Sequence, residues 1–356
     1  MFNEFKEPML TRKKFLVSVG VLCASTAFGF SSSEKQSYFN LKPIGRTFYL
    51  PEYFVWCSSP IWGKDNKVYL FYSRWRKDKG MSGWINGSEI GYAIADSPLH
   101  EFVHQDVIIA PRVGYWDSTT CHNPLIKEFN GKYYLYYMGN SNGKTSTKHI
   151  GVAYSDSLNG PWKRLDEPIL MPGTEGAWDD HCTTNPAVML GNDNKYWLYY
   201  KSWNTAEYLQ ASGSVRGNRK YGLAKSDSPL GPFVKDVDNP IIDFSNRPNN
   251  AQVEDAYIWN DNKGYHLIAR DMGFYNHEYG LYMYSRDGKK WTEPKVSYLN
   301  MAAYIKEENP TNLKRFGRLE RPMLLQKNNN GKPQFLFGAT QGGIGHTATT
   351  FVFQIL

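Results

Sequence analysis

One pattern recurs five times along this 356-residue chain, and it restricts the fold more than any other feature. Ser58-Ser59-Pro60-Ile61-Trp62 is followed by Lys67-Val68-Tyr69-Leu70-Phe71-Tyr72. His122-Asn123-Pro124-Leu125-Ile126 is followed by Lys132-Tyr133-Tyr134-Leu135-Tyr136-Tyr137, and Thr184-Asn185-Pro186-Ala187-Val188 by Lys195-Tyr196-Trp197-Leu198-Tyr199-Tyr200. Looser copies begin at Glu254-Asp255-Ala256 and Glu320-Arg321-Pro322. The anchors at 60, 124, 186, 256 and 322 are 64, 62, 70 and 66 residues apart. A third segment also repeats, as Ile90-Gly91-Tyr92-Ala93, Ile150-Gly151-Val152-Ala153, Tyr221-Gly222-Leu223-Ala224 and, less closely, Gly280-Leu281-Tyr282-Met283. Aromatic-rich alternation between Gly-Lys, Asn-Gly and Ser-Pro turns reads as antiparallel hairpins. About four strands repeated every 60–70 residues describe the blades of a propeller. The expected fold is therefore all-β: a five-bladed β-propeller of four-stranded antiparallel blades around a central channel. The fifth copy is short of a strand, so Arg46-Thr47-Phe48-Tyr49-Leu50 is expected to pair with it and close the ring. A β-sandwich would show the strands without the long period.

Composition supports this reading. Aromatic residues make up 15% of the chain, and they favour half-buried pleated surfaces. The net charge of +7 is dispersed, with no basic run in the body of the chain that would track nucleic acid, so no nucleic-acid partner is expected. Arg12, Lys13 and Lys14 precede an apolar stretch from Phe15 to Cys23 and small residues at Ala24, Ser25 and Ala27. This reads as an export signal over residues 1–29, with Met9 as an alternative start, and implies a periplasmic or extracellular protein. Lipid anchoring through Cys23 is disfavoured by Leu22, and no segment is long and apolar enough to span a membrane. A lead-in over 30–45 then precedes the propeller over 46–356. Cys57, Cys121 and Cys182 lack CxxC spacing and read as packing residues, without a disulfide framework or a zinc site. Oligomeric state is not legible.

Inner strands of a propeller converge at one mouth of the channel, so residues just ahead of each anchor should face one another. Those residues are Trp56, Cys57 and Ser58; Asp117, His122 and Asn123; Asp179, Asp180, His181 and Asn185; Glu254 and Asp255; and Arg318, Glu320 and Arg321. Trp116-Asp117 to Asn123-Pro124 repeats the spacing of Trp178-Asp179 to Asn185-Pro186, which suits either a shared turn or a shared site. Glu254-Asp255 is the favoured catalytic pair. Alternation along the strand would send the two to opposite faces, and burial beside aromatics would keep one carboxyl protonated as a general acid. A structural ion pair with Arg270 or Arg321 is the competing reading. Arg74, Lys201 and Arg270 near the ends of second strands are candidates to bind substrate, and Trp56, Trp75, Trp84 and Trp203 to stack on sugar faces.

These strands resemble the five-bladed propeller glycosidases, particularly glycoside hydrolase family 43 and its relatives, over residues 46–356. The resemblance implies inverting hydrolysis of a glycosidic bond, with Glu254 at the position of the general acid. Ser59 replaces the family's base Asp, Asn123-Pro124-Leu125 lacks its modulating Asp, and Asn185 replaces Asp in the third blade. Glu254-Asp255 with Tyr72-Ser73-Arg74 is also similar to mannoside phosphorylases. Relatives acting on anhydrogalactose sugars use a catalytic histidine, which implies His122 or His181. The expected activity is an exo-acting glycoside hydrolase on plant or algal oligosaccharides. Glu254 or Asp255 would be its acid, and Asp117, Asp180 or Glu320 its base; Asn123, His181, Asn185, Lys201, Arg270 and Arg321 would bind substrate. The rivals are a polysaccharide lyase on uronates, with Arg74, Arg270 or Arg321 neutralising the carboxylate, and a non-catalytic glycan-binding propeller. No cofactor is required; a structural calcium ion in the channel near His122 or His346 is allowed for.

Overall fold

The computed structural model describes residues 37–212, 215–305, 319–341 and 348–356. The expected export signal, Arg318 and His346 lie outside them. Five four-stranded antiparallel sheets form the five blades of a propeller. The inner strands are Tyr53–Trp62, Thr120–Phe129, Thr184–Leu190, Gln252–Asp261 and Glu320–Gln326. In the first four blades the chain runs outward through three further strands, in sequence order. The fifth blade takes its outer strand from Leu41–Phe48, which pairs with Ala348–Ile355 through Arg46↔Phe351 and Phe48↔Thr350. Ring closure is thus as expected, and the pairing reaches back to Leu41↔Ile355.

The repeated X-Gly of the third strands has a packing cause. A Cβ added at Gly91 would approach the Tyr72 hydroxyl to 2.9 Å, one at Gly151 the Tyr137 ring to 3.0 Å, and one at Gly222 the Tyr200 ring to 2.6 Å. Those tyrosines occupy one position of three successive second strands and are fully buried. Each such ring contributes roughly 1.5–3 kcal/mol of burial energy, so glycine is kept where the ring must pass.

A second device recurs in all five inner strands. Register slips between Trp56 and Ser59, His122 and Leu125, Thr184 and Ala187, Glu254 and Tyr257, and Glu320 and Met323, leaving two residues opposite one. These are β-bulges, and the first bulged residue is always left-handed: Cys57 at φ 54°, Asn123 at 56°, Asn185 at 52°, Asp255 at 60° and Arg321 at 54°. Asn and Asp tolerate that conformation; for Cys57 and Arg321 it costs on the order of 1–3 kcal/mol. The bulge also cancels strand alternation. Glu254 and Asp255 therefore line the same cavity instead of pointing to opposite faces, as do Glu320 and Arg321.

Candidate active site

The five bulges meet on the axis, and their side chains bond to one another around it. The Cys57 thiol donates to Asn123 Oδ1. Asn123 Nδ2 donates to Asn185 Oδ1 at 2.7 Å, Asn185 Nδ2 to Asp255 Oδ1 at 2.8 Å, and Arg321 Nη1 to the same Asp255 oxygen at 3.0 Å. Burial drives the Cys57 thiol up, and the Arg321 charge draws it part of the way back. One residue from each blade is used, and all five are buried. Asn123, Asn185, Asp255 and Arg321 form the floor of a blind pocket of about 290 Å³ at the channel mouth.

Glu254 stands above this floor, with a side chain 13% exposed. Lys201 Nζ is 2.6 Å and Arg219 Nε 3.0 Å from its Oε1, and Arg270 Nη1 is 3.2 Å from its Oε2. Burial opposes ionisation, but Arg219, Lys201 and Arg270 together hold the carboxyl well below its usual range. This differs from the raised value expected for a general acid, because the sequence pattern showed the aromatics and not the three converging cations. The same Arg270 Nη1 is 2.9 Å from Glu320 Oε1, so one guanidinium joins the two carboxylates. Burial lowers the Lys201 ammonium to about 8, against the pull of Glu254.

Aromatic side chains make the walls. Trp56, Trp84, Trp203 and Tyr208 line the pocket, Trp84 from the 3-10 turn Met81–Ile85 and Tyr208 from the helix Thr205–Gln210, which Asn204 caps. Trp75 also borders it, but is 1% exposed, stacks on Phe54 and donates to the Gly80 carbonyl at 2.9 Å, so its main work is packing. His122 is wedged between Trp75 and Trp84, with Nδ1 2.9 Å from Ser88 Oγ. Burial, then the charges of Arg321 and Lys148, keep it far below the usual histidine value, so it is neutral.

Four expected site residues lie elsewhere. Arg74 pairs with Glu89 at 2.8 Å and lies over Tyr53. Its neighbour Ser73 holds the position equivalent to Lys201 and Arg270 in the strand register, so Arg74 is one residue out of phase with the channel. Asp117 is fully buried under Arg112, Arg164 and the Tyr137 hydroxyl. Asp179 repeats this with Lys235 and Tyr200, so the Trp-Asp repeat pins each blade-entry loop to the second and outer strands of the blade it leads into. Asp180 accepts from the backbone N–H groups of Thr205 and Gly176; burial raises its carboxyl, but those bonds prevail and leave it lowered. His181 lies behind the wall, stacked on Tyr208 at 4.2 Å, and burial followed by the Lys148 charge lowers it to about 4.

Two cations are among the pocket residues that the first-strand alignment does not bring out. Lys148 and Arg219 line the site, each two residues ahead of a repeated third-strand X-Gly, at Ile150-Gly151 and Tyr221-Gly222. The equivalent residue of the first blade is Ser88, the partner of His122. The period that located Glu254 would have located them if applied to third strands. Among the described residues, no group of three His, Cys, Asp or Glu is placed to hold a metal ion. The axial ring, with the Arg321 guanidinium in it, is a poor donor set for calcium.

No protein-family model and no curated protein sequence matches the chain. Solved structures do. A family 117 glycoside hydrolase, Zg3597 from the marine bacterium Zobellia galactanivorans, superposes with a TM-score of 0.65 at 19% identity, over 88% of this chain and 89% of that one. The endo-arabinase of Bacteroides thetaiotaomicron matches with a TM-score of 0.58 at 13% identity, over 87% and 97%. CoXyl43, a family 43 β-xylosidase/α-arabinofuranosidase from a compost microbial metagenome solved with xylotriose in a calcium-free form, matches at 0.56 and 19%, over 88% and 93%. At these identities the likeness is one of fold: a propeller architecture shared with glycoside hydrolases.

Proposed function

We propose that the protein is an exported glycoside hydrolase that takes a chain end of an oligosaccharide into this pocket. What carries the reading is one arrangement: Glu254 and Glu320 share Arg270 at the inner end of a blind, tryptophan-walled pocket. Their Arg270-bound oxygens, 3.2 and 2.9 Å from one nitrogen, open on the same pocket, as two carboxyl groups that act on one glycosidic bond must. Glu254, held ionised by three cations, is suited to activate water or to stabilise the oxocarbenium-like transition state. Glu320 must enter the reaction protonated; it then donates that proton to the leaving oxygen, and Arg270, 2.9 Å away, stabilises the carboxylate that results. Asp255 is engaged by Asn185 and Arg321 and shapes the floor. The fold shared with glycoside hydrolases supports the reaction class, and the closed floor supports action at chain ends.

The test is a screen against plant and algal oligosaccharides for new reducing ends. On the substrate found, Glu254→Gln and Glu320→Gln should each lower kcat by about 10²–10⁴-fold. Full turnover by both variants refutes the assignment. Ultraviolet-absorbing unsaturated products would mark a lyase, and binding without turnover a glycan-binding protein.

A further inference from the structure

The charges lining the pocket do not balance. Lys148, Lys201, Arg216, Arg219, Arg270 and Arg321 face only Glu254, Asp255 and Glu320. Arg321 is matched by Asp255, and Arg270 is shared by Glu254 and Glu320. The surplus gathers at one corner. Lys148 Nζ, Lys201 Nζ and Arg219 Cζ lie 4.7, 4.9 and 5.3 Å from the centre of the Trp203 ring, with Glu254 the one carboxylate among the described residues bonded to any of them.

Lys148 is the sharpest case. It is 4% exposed, it lines the pocket, and no carboxylate among the described residues pairs with it. Burial lowers its ammonium; the charge of Glu254 draws it part of the way back, and that of Arg219 adds to the cost of keeping it ionised. An ammonium buried without a counter-ion costs several kcal/mol. The cation–π attraction of Trp203 returns only about 1–2 kcal/mol of that. Further donors are unused: Nε and Nη2 of both Arg270 and Arg321 are buried without a hydrogen-bond partner among the described residues. A neutral sugar would leave this charge uncompensated. An anion at the Trp203 corner would compensate it.

We propose that the sugar accepted by this pocket is acidic, its anionic group, a carboxylate or a sulfate ester, seated on Lys148 beside Trp203. The inference rests on the glycoside hydrolase reading for its sugar, and on the charge geometry for its acid. Lys148 and Arg219 hold the anion, the indole of Trp203 covers the ring face, and Glu254 lies next to the group that is bound. The excess of cation over carboxylate then has a role in the bound state that it lacks in the empty one.

The experiment is calorimetric titration with oligosaccharides from polygalacturonate, carrageenan, agarose and xylan. Wild-type protein, Lys148→Met and Lys148→Arg are compared. The expected result is binding of one acidic oligosaccharide that weakens about tenfold or more in Lys148→Met, is largely retained in Lys148→Arg and falls as salt is raised. Preference for the polygalacturonate arm assigns a carboxylate, and preference for the carrageenan arm a sulfate. Failure of both acidic arms overturns the proposal, as does tight binding of a neutral arm with unchanged affinity in Lys148→Met. The two readings separate cleanly. Acidic oligosaccharide bound through Lys148 without new reducing ends removes the hydrolase and leaves the acidic ligand. Neutral oligosaccharide hydrolysed at the same rate by Lys148→Met does the reverse.

Discussion

Replacing Glu254 by Gln keeps the side chain's shape and removes the one charge on which Lys201, Arg219 and Arg270 converge. These three side chains are 4, 10 and 7% exposed, so water replaces little of what is lost. Removing one partner from a buried ion pair costs about 3–5 kcal/mol. Arg270 retains Glu320, which places the expected loss near the lower end, at about 3 kcal/mol. Urea denaturation at pH 7 and low ionic strength would measure it directly. The pH dependence supplies a signature. The folded carboxyl is depressed, so its contribution is fully present above the unfolded value of about 4.3 and is lost as pH falls through the folded value. The gap between wild type and Glu254→Gln should therefore be constant near neutrality and shrink progressively in acid. A loss below about 1 kcal/mol at pH 7 would refute the claim that the three cations depend on this carboxylate. So would a gap that remained flat throughout the acid range.

Lys148→Met should stabilise the ligand-free protein by about 1–2 kcal/mol, since an apolar isostere removes an unpaired buried charge; thermal melts without glycan test this, and a loss of stability would count against it. Asp117→Asn should cost about 3 kcal/mol by releasing Arg112 and Arg164, while the KM of the folded protein for whatever substrate is found stays unchanged, because the residue joins strands outside the pocket.

The propeller was legible because its cause is repetitive. Five anchors, recurring third-strand glycines and a missing fifth-blade strand each had one consistent explanation, and the register bears them out. The site was half legible. Aligning first strands brought out Asn123, Asn185, Glu254, Asp255, Glu320 and Arg321, which do converge. What the alignment could not show was the bulge, which depends on backbone angles and turns neighbours such as Glu254 and Asp255 the same way. Arg74 lies a single residue out of phase with the channel, a difference that strand register decides. Asp117 and Asp180 were acids near the mouth in sequence whose partners, Arg112, Arg164 and two backbone amides, come from elsewhere in the chain or from the turn itself. The electrostatics of Glu254 were not legible, because only Arg270 comes from its own hairpin; Lys201 and Arg219 come from the neighbouring third blade, which packing of blade on blade brings in.

That closure also sets an order of events. The strand Leu41–Phe48 is synthesised early, yet its partner Ala348–Ile355 follows some three hundred residues later, with Arg46 Nη1 reaching Thr349 Oγ1 across a separation of 303 positions. The first four blades complete their hairpins from neighbouring sequence; the fifth must wait for a long-range encounter. Because the axial ring beneath the pocket draws one residue from every blade, the binding site is complete only once the fifth blade is in place. An intermediate with four finished blades would have much of its secondary structure and an open circle where Arg321 should meet Asp255. The backbone N–H of Leu356 already donates to the carbonyl of Asn40 at 2.9 Å, which makes this seam a natural place to join the strands and reopen the chain elsewhere. A circular permutant cut between two other blades would turn the slow closure into a local hairpin and move the delay to the new break.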